Sequence, residues 1–384
     1  MKRLLVALFV AYTVALFGQT STKTPLSYYG LGDPSLSTST TMSSMGHTNL
    51  AVVNATVVNF TNPASYTDIK RPTFNIDTKN EFLTLTNGAA SQTSNAFSIQ
   101  NFAFAFPIIN DYKRFKRRAA FCFGVTPYTT MGYNLSYSET VGDLGQVDYL
   151  FFGKGGINSG YVGSAIDLLA NKKRTNVLSV GANGHYVFGK LNKSRATQIA
   201  PSAGASNLYR QTNQEISDFD FSVGITYKHL DTLRVKRTRN DGSQYSESIP
   251  VLMSVAGFVR PSAQLQTFSQ TIGFTFSDTV TNPNPIDTLY TSKSQDKTVT
   301  PTSFGVGVSV NIGNRWTLAA DYVQTLWSQL QTEGKNAGLN NSNRVGVGIE
   351  FLPKTDIKDA EGKFFKTVRY RTGFNFEQTM YNSN

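Results

Sequence analysis

The feature that most constrains this chain is an alternation of apolar and polar residues that recurs along most of its length. It is clearest in segments 218–227, 303–310, 344–351 and 368–376, where nearly every second residue is Phe, Tyr, Val or Ile. Alternation over eight or more residues predicts a β-strand with one apolar and one polar face. Long strands of this kind are typical of an antiparallel, transmembrane outer-membrane β-barrel. A two-sheet sandwich would also bury the apolar faces, but the strand length and the bulky apolar residues favour the barrel.

The pattern predicts eleven strands, all of them after residue 72. They lie at 73–86, 95–107, 118–138, 147–168, 176–189, 215–228, 250–277, 299–311, 314–329, 342–352 and 366–379. A closed barrel with both ends on one side requires an even number of strands. Only residues 380–384 follow the last predicted strand, and an edge left open in lipid would expose unpaired backbone groups. We therefore expect that closing C-terminal strands are absent from this sequence.

The first twenty residues predict export. Lys2 and Arg3 precede the mostly apolar residues 4–17, and a basic start with a short apolar run is typical of a signal peptide, here residues 1–19. No later apolar run reaches the roughly 18 residues that a membrane helix requires. Charged residues are only 16% of the chain, against about 25% in soluble proteins. A helical membrane protein and a soluble enzyme are therefore both disfavoured.

Basic residues cluster in the predicted turns and give the chain a formal net charge of +11. If the first strand rises from the periplasm, the clusters at 113–118, 172–174 and 234–239 all face the periplasmic side. This placement predicts attraction to anionic phospholipid of the inner leaflet. Nucleic-acid binding is disfavoured, because the charge is spread over turns and the chain is exported. The turn at 229–249 is longer than the short periplasmic turns of such barrels.

Several ordered motifs resemble a known family. They are Ser27-Tyr28-Tyr29-Gly30-Leu31-Gly32-Asp33, Ser44-Met45-Gly46-His47-Thr48-Asn49, Asn62-Pro63-Ala64-Ser65-Tyr66, and later pieces around residues 127–134 and 153–163. In this order they resemble the FadL-type outer-membrane transport proteins, in particular the branch found in Bacteroidota. The resemblance implies an all-β barrel of roughly fourteen strands, about eleven of them present here, with an N-terminal luminal hatch. It implies three parts, namely the signal peptide, a hatch segment at 20–72 and the barrel at 73–384.

The resemblance also implies a function, the uptake of hydrophobic compounds such as long-chain fatty acids. In this family such compounds enter a luminal pocket and leave sideways through a gap in the barrel wall. Thr126, Pro127 and Tyr128 are the candidates for that gap, because a proline inside a strand removes a hydrogen-bond donor from the ladder. The alternative is that Pro127 marks a strand end or a bulge without an opening.

Further candidate site residues lie inside the predicted barrel. They are the hatch motif Asn62, Pro63 and Ala64 and the lumen-facing Asn183, His185, Arg369 and Arg371. The hatch motif either gates the lumen or simply turns the chain into the first strand. Two arginines at alternate positions of one strand suit a carboxylate headgroup, and a solvated lumen lining is the alternative.

Catalytic and metal-binding patterns are not recognisable in this sequence. His47, His185 and His229 are far apart, and Cys122 is the single cysteine. Neither a paired metal-ligand spacing nor a catalytic motif results from them. We expect no enzymatic activity, no metal and no cofactor.

Two classes of function remain for an integral protein of the outer membrane. The first is a transporter, whose partners would be outer-membrane lipid and a hydrophobic ligand. The second is a non-transporting barrel that serves as a subunit of an outer-membrane secretion or assembly complex, a role that the Bacteroidota branch also supplies. A transporter requires a continuous apolar tunnel to a gap in the wall, whereas a subunit requires a sealed lumen. The resemblance favours the transporter.

Overall fold

Antiparallel strands make up most of the computed structural model, which describes residues 24–35, 38–88, 90–110, 117–199, 206–238, 243–277, 280, 283–353 and 364–381. The strands are β1 Asp33–Pro34, β2 Thr73–Asn87, β3 Ala90–Ile109, β4 Ala119–Val141, β5 Gly145–Ala170, β6 Asn176–Ile199, β7 Asn207–Thr238, β8 Gln244–Arg260, β9 Gln264–Phe276, β10 Pro285–Val299, β11 Ser303–Ile312, β12 Trp316–Thr325, β13 Gln331–Thr332, β14 Lys335–Asn336, β15 Ser342–Phe351 and β16 Tyr370–Gln378. The helices are α1 Thr40–Ser43, α2 Phe364–Thr367 and the 3-10 helices Pro25–Tyr28, Pro63–Asp68, Gly142–Leu144 and Trp327–Gln329. None of the described helices has the length and apolar character that a membrane crossing requires. The predicted signal peptide at 1–19 lies outside the described residues.

The wall of the molecule is one curled sheet. Its main path runs β2-β3-β4-β5-β6-β7-β8-β11-β12-β15-β16, which confirms the all-β antiparallel prediction and its eleven strands. Over the described ranges, no strand pairs with the outer edge of β2 or of β16. Both edge strands nevertheless line the same cavity, β2 through Lys79 and β16 through Glu377. The sheet is therefore strongly curved, with its two edges facing a common interior.

Two of the wall strands are interrupted at the same level. β7 pairs with β9 up to Ser217 and with β8 from Val223 onward, so β8 and β9 are two parts of one strand. β10 and β11 are likewise two parts of the next strand, since β10 pairs with β9 and β11 with β8. The N–H of Thr300 donates to the carbonyl oxygen of Ala263 at 2.8 Å across the interruption. The sequence pattern missed residues 285–298 because almost every side chain of β10 is exposed, which leaves no alternation to detect.

The two faces of the wall differ as the alternation predicted. On β7 the outward Phe219, Phe221 and Ile225 are 72%, 55% and 48% exposed. The inward Ser222 and Thr226 of the same strand are buried. Apolar side chains outside and polar ones inside are typical of a barrel wall that faces lipid. Several of the largest fully buried side chains, among them those of Leu31, Met45 and Tyr66, belong to a segment on the concave side of the wall.

Candidate functional site

The candidate site is the interior of the barrel, which residues 24–72, here called the N-terminal segment, cross from side to side. The segment pairs with β4 through β1, hydrogen-bonds to β2, β7 and β12 and packs tightly on β15 and β16. These strands include both edges of the sheet. The N-terminal segment therefore connects the two edges from the inside.

The hatch motif forms a fixed turn on the inner face of β6 and β7. The Asn62 side chain is fully buried. Its amide nitrogen donates to the carbonyl oxygen of Leu50 and to the hydroxyl of Thr226, both at 2.9 Å, and its oxygen accepts the N–H of Ala64 at 3.2 Å. Asn62 caps the 3-10 helix Pro63–Asp68, as asparagine commonly does at helix starts.

Two glycines of the wall make room for this turn. Gly181 and Gly224 are directly opposite each other in the β6–β7 register. A Cβ atom at Gly181 would lie 2.5 Å from the carbonyl carbon of Pro63, and one at Gly224 would lie 2.1 Å from the side-chain oxygen of Asn62. Any larger residue at either position would push the turn away from the wall. The absence of a side chain at both glycines therefore allows the hatch motif to pack directly on the wall.

Polar side chains hold the 3-10 helix that follows. The hydroxyl of Tyr66 donates to the side-chain oxygen of Asn183 at 2.9 Å, and the Asn183 amide donates to the carbonyl oxygen of Phe60 at 3.1 Å. Lys228 forms a salt bridge with Asp68 at 2.5 Å, with the two side chains only 8% and 10% exposed. Removing one partner of such a buried charge pair strongly destabilises the fold, because the other charge is left buried and uncompensated. Asn183 thus acts in this structure as a support for the N-terminal segment.

The earlier part of the N-terminal segment is held on the opposite wall. The N–H groups of residues 49–50 donate to Oδ2 of Asp321 on β12 at 2.6 and 2.9 Å. Gly348 and Gly373 are cross-strand partners on β15 and β16, and a Cβ on either would lie within 2.3 Å of the Met45 backbone. The segment is therefore fixed to two separate parts of the wall, β6–β7 and β12–β16, by buried hydrogen bonds and by close backbone contact.

The wall splits between β3 and β4 beside Pro127. The described β3–β4 ladder ends at Val125, so β4 is not paired with β3 from Thr126 onward. In the β4–β5 ladder the register shifts between Pro127 and Thr129, which places a bulge at Tyr128. The proline therefore lies at a split in the wall and next to a bulge in the same strand.

The N-terminal segment covers this split. β1 pairs antiparallel with residues 129–130 of β4, and the N–H of Ser35 donates to the carbonyl oxygen of Tyr128 at 3.0 Å. The hydroxyl of Thr126 donates across the split to the carbonyl oxygen of Gln100 at 3.1 Å. Residues 33–35 thus take the place beside β4 that β3 would occupy if the β3–β4 ladder continued past Val125.

A cavity of about 640 Å³ remains beside this cover. Its charged and histidine lining residues are Asp33, His47, Lys79, Glu81, His185, Arg260, Arg344 and Glu377. Serines and threonines make up most of the remaining lining. Both ring nitrogens of His185 are engaged, with the hydroxyls of Ser159 and Ser222 at 3.0 and 2.9 Å. Apolar atoms nevertheless form the larger part of the cavity surface.

Two titratable groups of the N-terminal segment face this cavity. Burial lowers the pKa of His47 to about 4, and the nearby positive charges of Arg344 and Lys79 act in the same direction. Burial raises the pKa of the Asp33 carboxyl, although the Tyr381 hydroxyl, which donates to it at 2.8 Å, opposes the shift. His47 is therefore neutral at neutral pH.

Comparison with known proteins identifies the family of this chain. The model of the BamG family matches residues 1–384. The chain belongs to the BamG family. No curated protein matches it. Among solved structures it is similar to the crystal structure of a Pseudomonas aeruginosa FadL homologue, with 10% identity, 91% of each chain covered and a TM-score of 0.35. Membership of the FadL family itself, which the motifs suggested, is not confirmed.

In this BamG-family chain, the two predicted lumen arginines contact a carboxylate of the protein itself. Nη1 of Arg369 lies 2.5 Å from Oε1 of Glu350, and Nε of Arg371 lies 2.7 Å from Oε2. Arg371 and Glu350 are cross-strand partners at the start of β16. Asn183 and His185 belong to β6, far along the sheet path. The four residues therefore do not form one group, and binding of a ligand headgroup by them stays a prediction.

The residues that hold the N-terminal segment in this BamG-family barrel carry no recognisable signal in the sequence. Asp321 and Lys228 look like ordinary polar positions of alternating strands, and nothing local indicates their distant partners. Glycines at successive inward positions, as in 305–307 and 346–348, were the available signal. A wall without inward side chains indicates that another part of the chain lies against it. Within the described ranges, no group of three His, Cys, Asp or Glu residues is placed to hold a metal ion.

Proposed function

We propose that this protein is a non-transporting barrel of the outer membrane that serves as a subunit of an assembly complex. The family name BamG hints at a role associated with the Bam machinery. The observation that carries the proposal is the fixed N-terminal segment. Its buried contacts with Thr226, Asp321 and Lys228 hold it to separate parts of the wall.

Placement in the outer membrane is part of this proposal. The outward apolar side chains of β7, β11 and β16 provide a surface suited to lipid. The predicted signal peptide at 1–19 would bring the chain to that compartment. Residues 24–72 would then fill the lumen once the barrel has formed.

Transport of hydrophobic compounds receives less support from the same interior. The split beside Pro127 is the feature that favours a lateral exit, and it is covered by residues 33–35. Most residues around the cavity behind it carry hydroxyl or charged groups, while apolar atoms form the larger part of its surface. Since lateral release requires an open gap, a subunit role agrees better with the covered split.

The test is the native mass of the full gene product, tagged and extracted in mild detergent from outer membranes. We expect a stable particle with other proteins in fixed stoichiometry, well above the 42.2 kDa of this chain. Depletion of the protein is expected to lower the amounts of other outer-membrane barrels and to leave uptake of radiolabelled oleate unchanged. A monomeric particle, together with loss of oleate uptake on depletion, would instead support the transporter.

A further inference from the structure

The hairpin of β7 and β8 projects beyond the wall as a free two-stranded ribbon. β6 pairs with β7 only as far as His229, and β11 pairs with β8 only as far as Val251. The ribbon, defined here as residues 231–238 and 244–249, continues the β7–β8 ladder with no other described strand beside it. At 3.3 Å per residue it reaches roughly 25 Å past its neighbours. The ribbon is part of the segment 229–249, which is longer than the short periplasmic turns of such barrels.

The two faces of the ribbon differ in chemistry. The outward face carries Leu233 and Val235, which are 51% and 38% exposed. These residues lie beyond His229, whose ring contacts Asn176 at 2.7 Å in a polar belt at the end of the wall. Apolar side chains on the far side of a polar belt project into water rather than lipid. Exposed apolar groups in that position are typical of protein contact sites.

The opposite face is basic. Arg234 and Lys236 lie on it, and their cross-strand partners are Ser248 and Ser246. Within the described residues neither cation has an acidic partner, whereas Arg237 on the other face pairs with Glu247 at 2.5 Å. An acidic partner would therefore find two uncompensated positive charges at alternate positions of one strand.

The free edge of β7 offers main-chain hydrogen bonds. The N–H of Leu230 donates to the carbonyl oxygen of Thr175, on the β6 side, at 2.7 Å. Because N–H and C=O directions alternate along a strand, the backbone groups of Arg234 and Lys236 also point to this side. The corresponding edge of β8 begins at Pro250, which has no N–H. The β7 edge is therefore the one prepared for an additional strand.

We propose that the β7 edge of the ribbon binds an extended segment of a partner protein, with acidic residues at alternate positions and apolar residues between them. The acidic side chains contact Arg234 and Lys236, and the apolar ones cover Leu233 and Val235. Exposed Lys172 lies in the β5–β6 turn, which leads into β6 where the β6–β7 ladder ends at Asn176 and His229. Strand addition of this kind derives affinity from main-chain hydrogen bonds and specificity from alternate side chains. This inference rests on the proposed subunit role and names the chemistry of the partner.

The test uses the full-length protein in its native outer membrane, with a photo-crosslinking amino acid at Val235. We expect a discrete protein adduct that falls about tenfold in the variant Arg234→Glu/Lys236→Glu, since reversing both charges replaces attraction by repulsion. The matched control Lys293→Glu/Lys297→Glu, on exposed β10, is expected to keep the adduct. Lys236→Pro is expected to weaken it more than Lys236→Ala, because proline also removes the free N–H.

Four outcomes would overturn the proposal. They are no ribbon adduct in an intact complex, an adduct with phospholipid only, a protein adduct that Arg234→Glu/Lys236→Glu leaves unchanged, and equal adducts from Lys236→Pro and Lys236→Ala. The native mass separates this result from the proposed function. An intact complex without a ribbon adduct would refute the ribbon and keep the subunit role, whereas a monomeric wild-type particle would refute the subunit role itself.

Discussion

Replacing Asn62 by alanine tests whether the N-terminal segment is fixed in the lumen. The substitution removes three buried hydrogen bonds, to Leu50, Thr226 and Ala64. Each is worth about 1 kcal/mol net, so docking of the segment is expected to weaken by about 3 kcal/mol. Since each 1.4 kcal/mol is a factor of ten, this corresponds to about a hundredfold rise in the population of the undocked segment.

The chain contains its own reporter of that event. Cys122 is the single cysteine, it is fully buried, and it packs in the same cluster as Tyr66 of the N-terminal segment. A thiol reagent therefore reaches Cys122 only when the segment lifts from the wall. Under conditions where closing is faster than labelling, the labelling rate measures the opening equilibrium. We expect this rate to rise about a hundredfold in Asn62→Ala, with the barrel still folded by its heat-dependent gel migration.

The matched control is Asn311→Ala. Asn311 hydrogen-bonds to Thr317 and to the N–H of Asn314 at the β11–β12 turn, away from the N-terminal segment. Its labelling rate is expected to equal that of the wild type. An unchanged rate in Asn62→Ala would refute the fixed segment. Equal acceleration in both variants would show that the whole barrel loosens, not the segment.

Two further perturbations test other contacts of the N-terminal segment. Lys228→Met leaves the Asp68 carboxylate buried without its partner, so docking of the N-terminal segment is expected to weaken by about 3 kcal/mol. Hydrogen exchange of residues 64–69 should therefore accelerate. The double variant Lys228→Met/Asp68→Asn should recover part of the protection. For His47, whose pKa is lowered from 6.5 to about 4, docking is fully stable above pH 6.5 and weakens as the pH falls towards 4, by roughly 2 kcal/mol after allowance for partial exposure. Because only the thiolate reacts, the rate of Cys122 labelling between pH 7 and 4, divided by that of a free thiol at the same pH, measures this loss. His47→Asn, which tolerates the positive φ of 60° at this position, should flatten this profile, and an unchanged profile would contradict the role of His47.

The wall could be predicted from the sequence because its signal is local. In β11 and in residues 344–351 of β15 each apolar residue faces outward and each glycine or polar residue faces inward, so a period of two fixes both the strand and its faces. β10 escaped detection because it is exposed on nearly all positions. The same reasoning predicted too short a β7, since its outer part, Asn207–Gln214, and the ribbon lack a lipid-facing stripe.

The interior could not be predicted, because its contacts join residues that are far apart in sequence. Asn49 and its acceptor Asp321 are separated by 272 positions, and Asn62 and Thr226 by 164. Alternation predicts that such side chains face inward but not what they meet. Pro127 illustrates the limit. The sequence indicated an irregular strand there, but only the structure places residues 33–35 against it.

The path of the N-terminal segment explains how a sheet with two unpaired described edges stays curled. Unpaired edges in lipid are unfavourable, and a curved sheet held only by its own ladders is free to flatten. Here Asp77 of β2 accepts the N–H of Thr40 at 2.9 Å, while Gly373 of β16 packs on the backbone of Gly46. The seven residues 40–46 thus connect the two edges of the sheet. Any motion that opened the lumen would have to break this connection first, so the interior stabilises the wall, and the surfaces open to a partner are its edges and the β7–β8 ribbon.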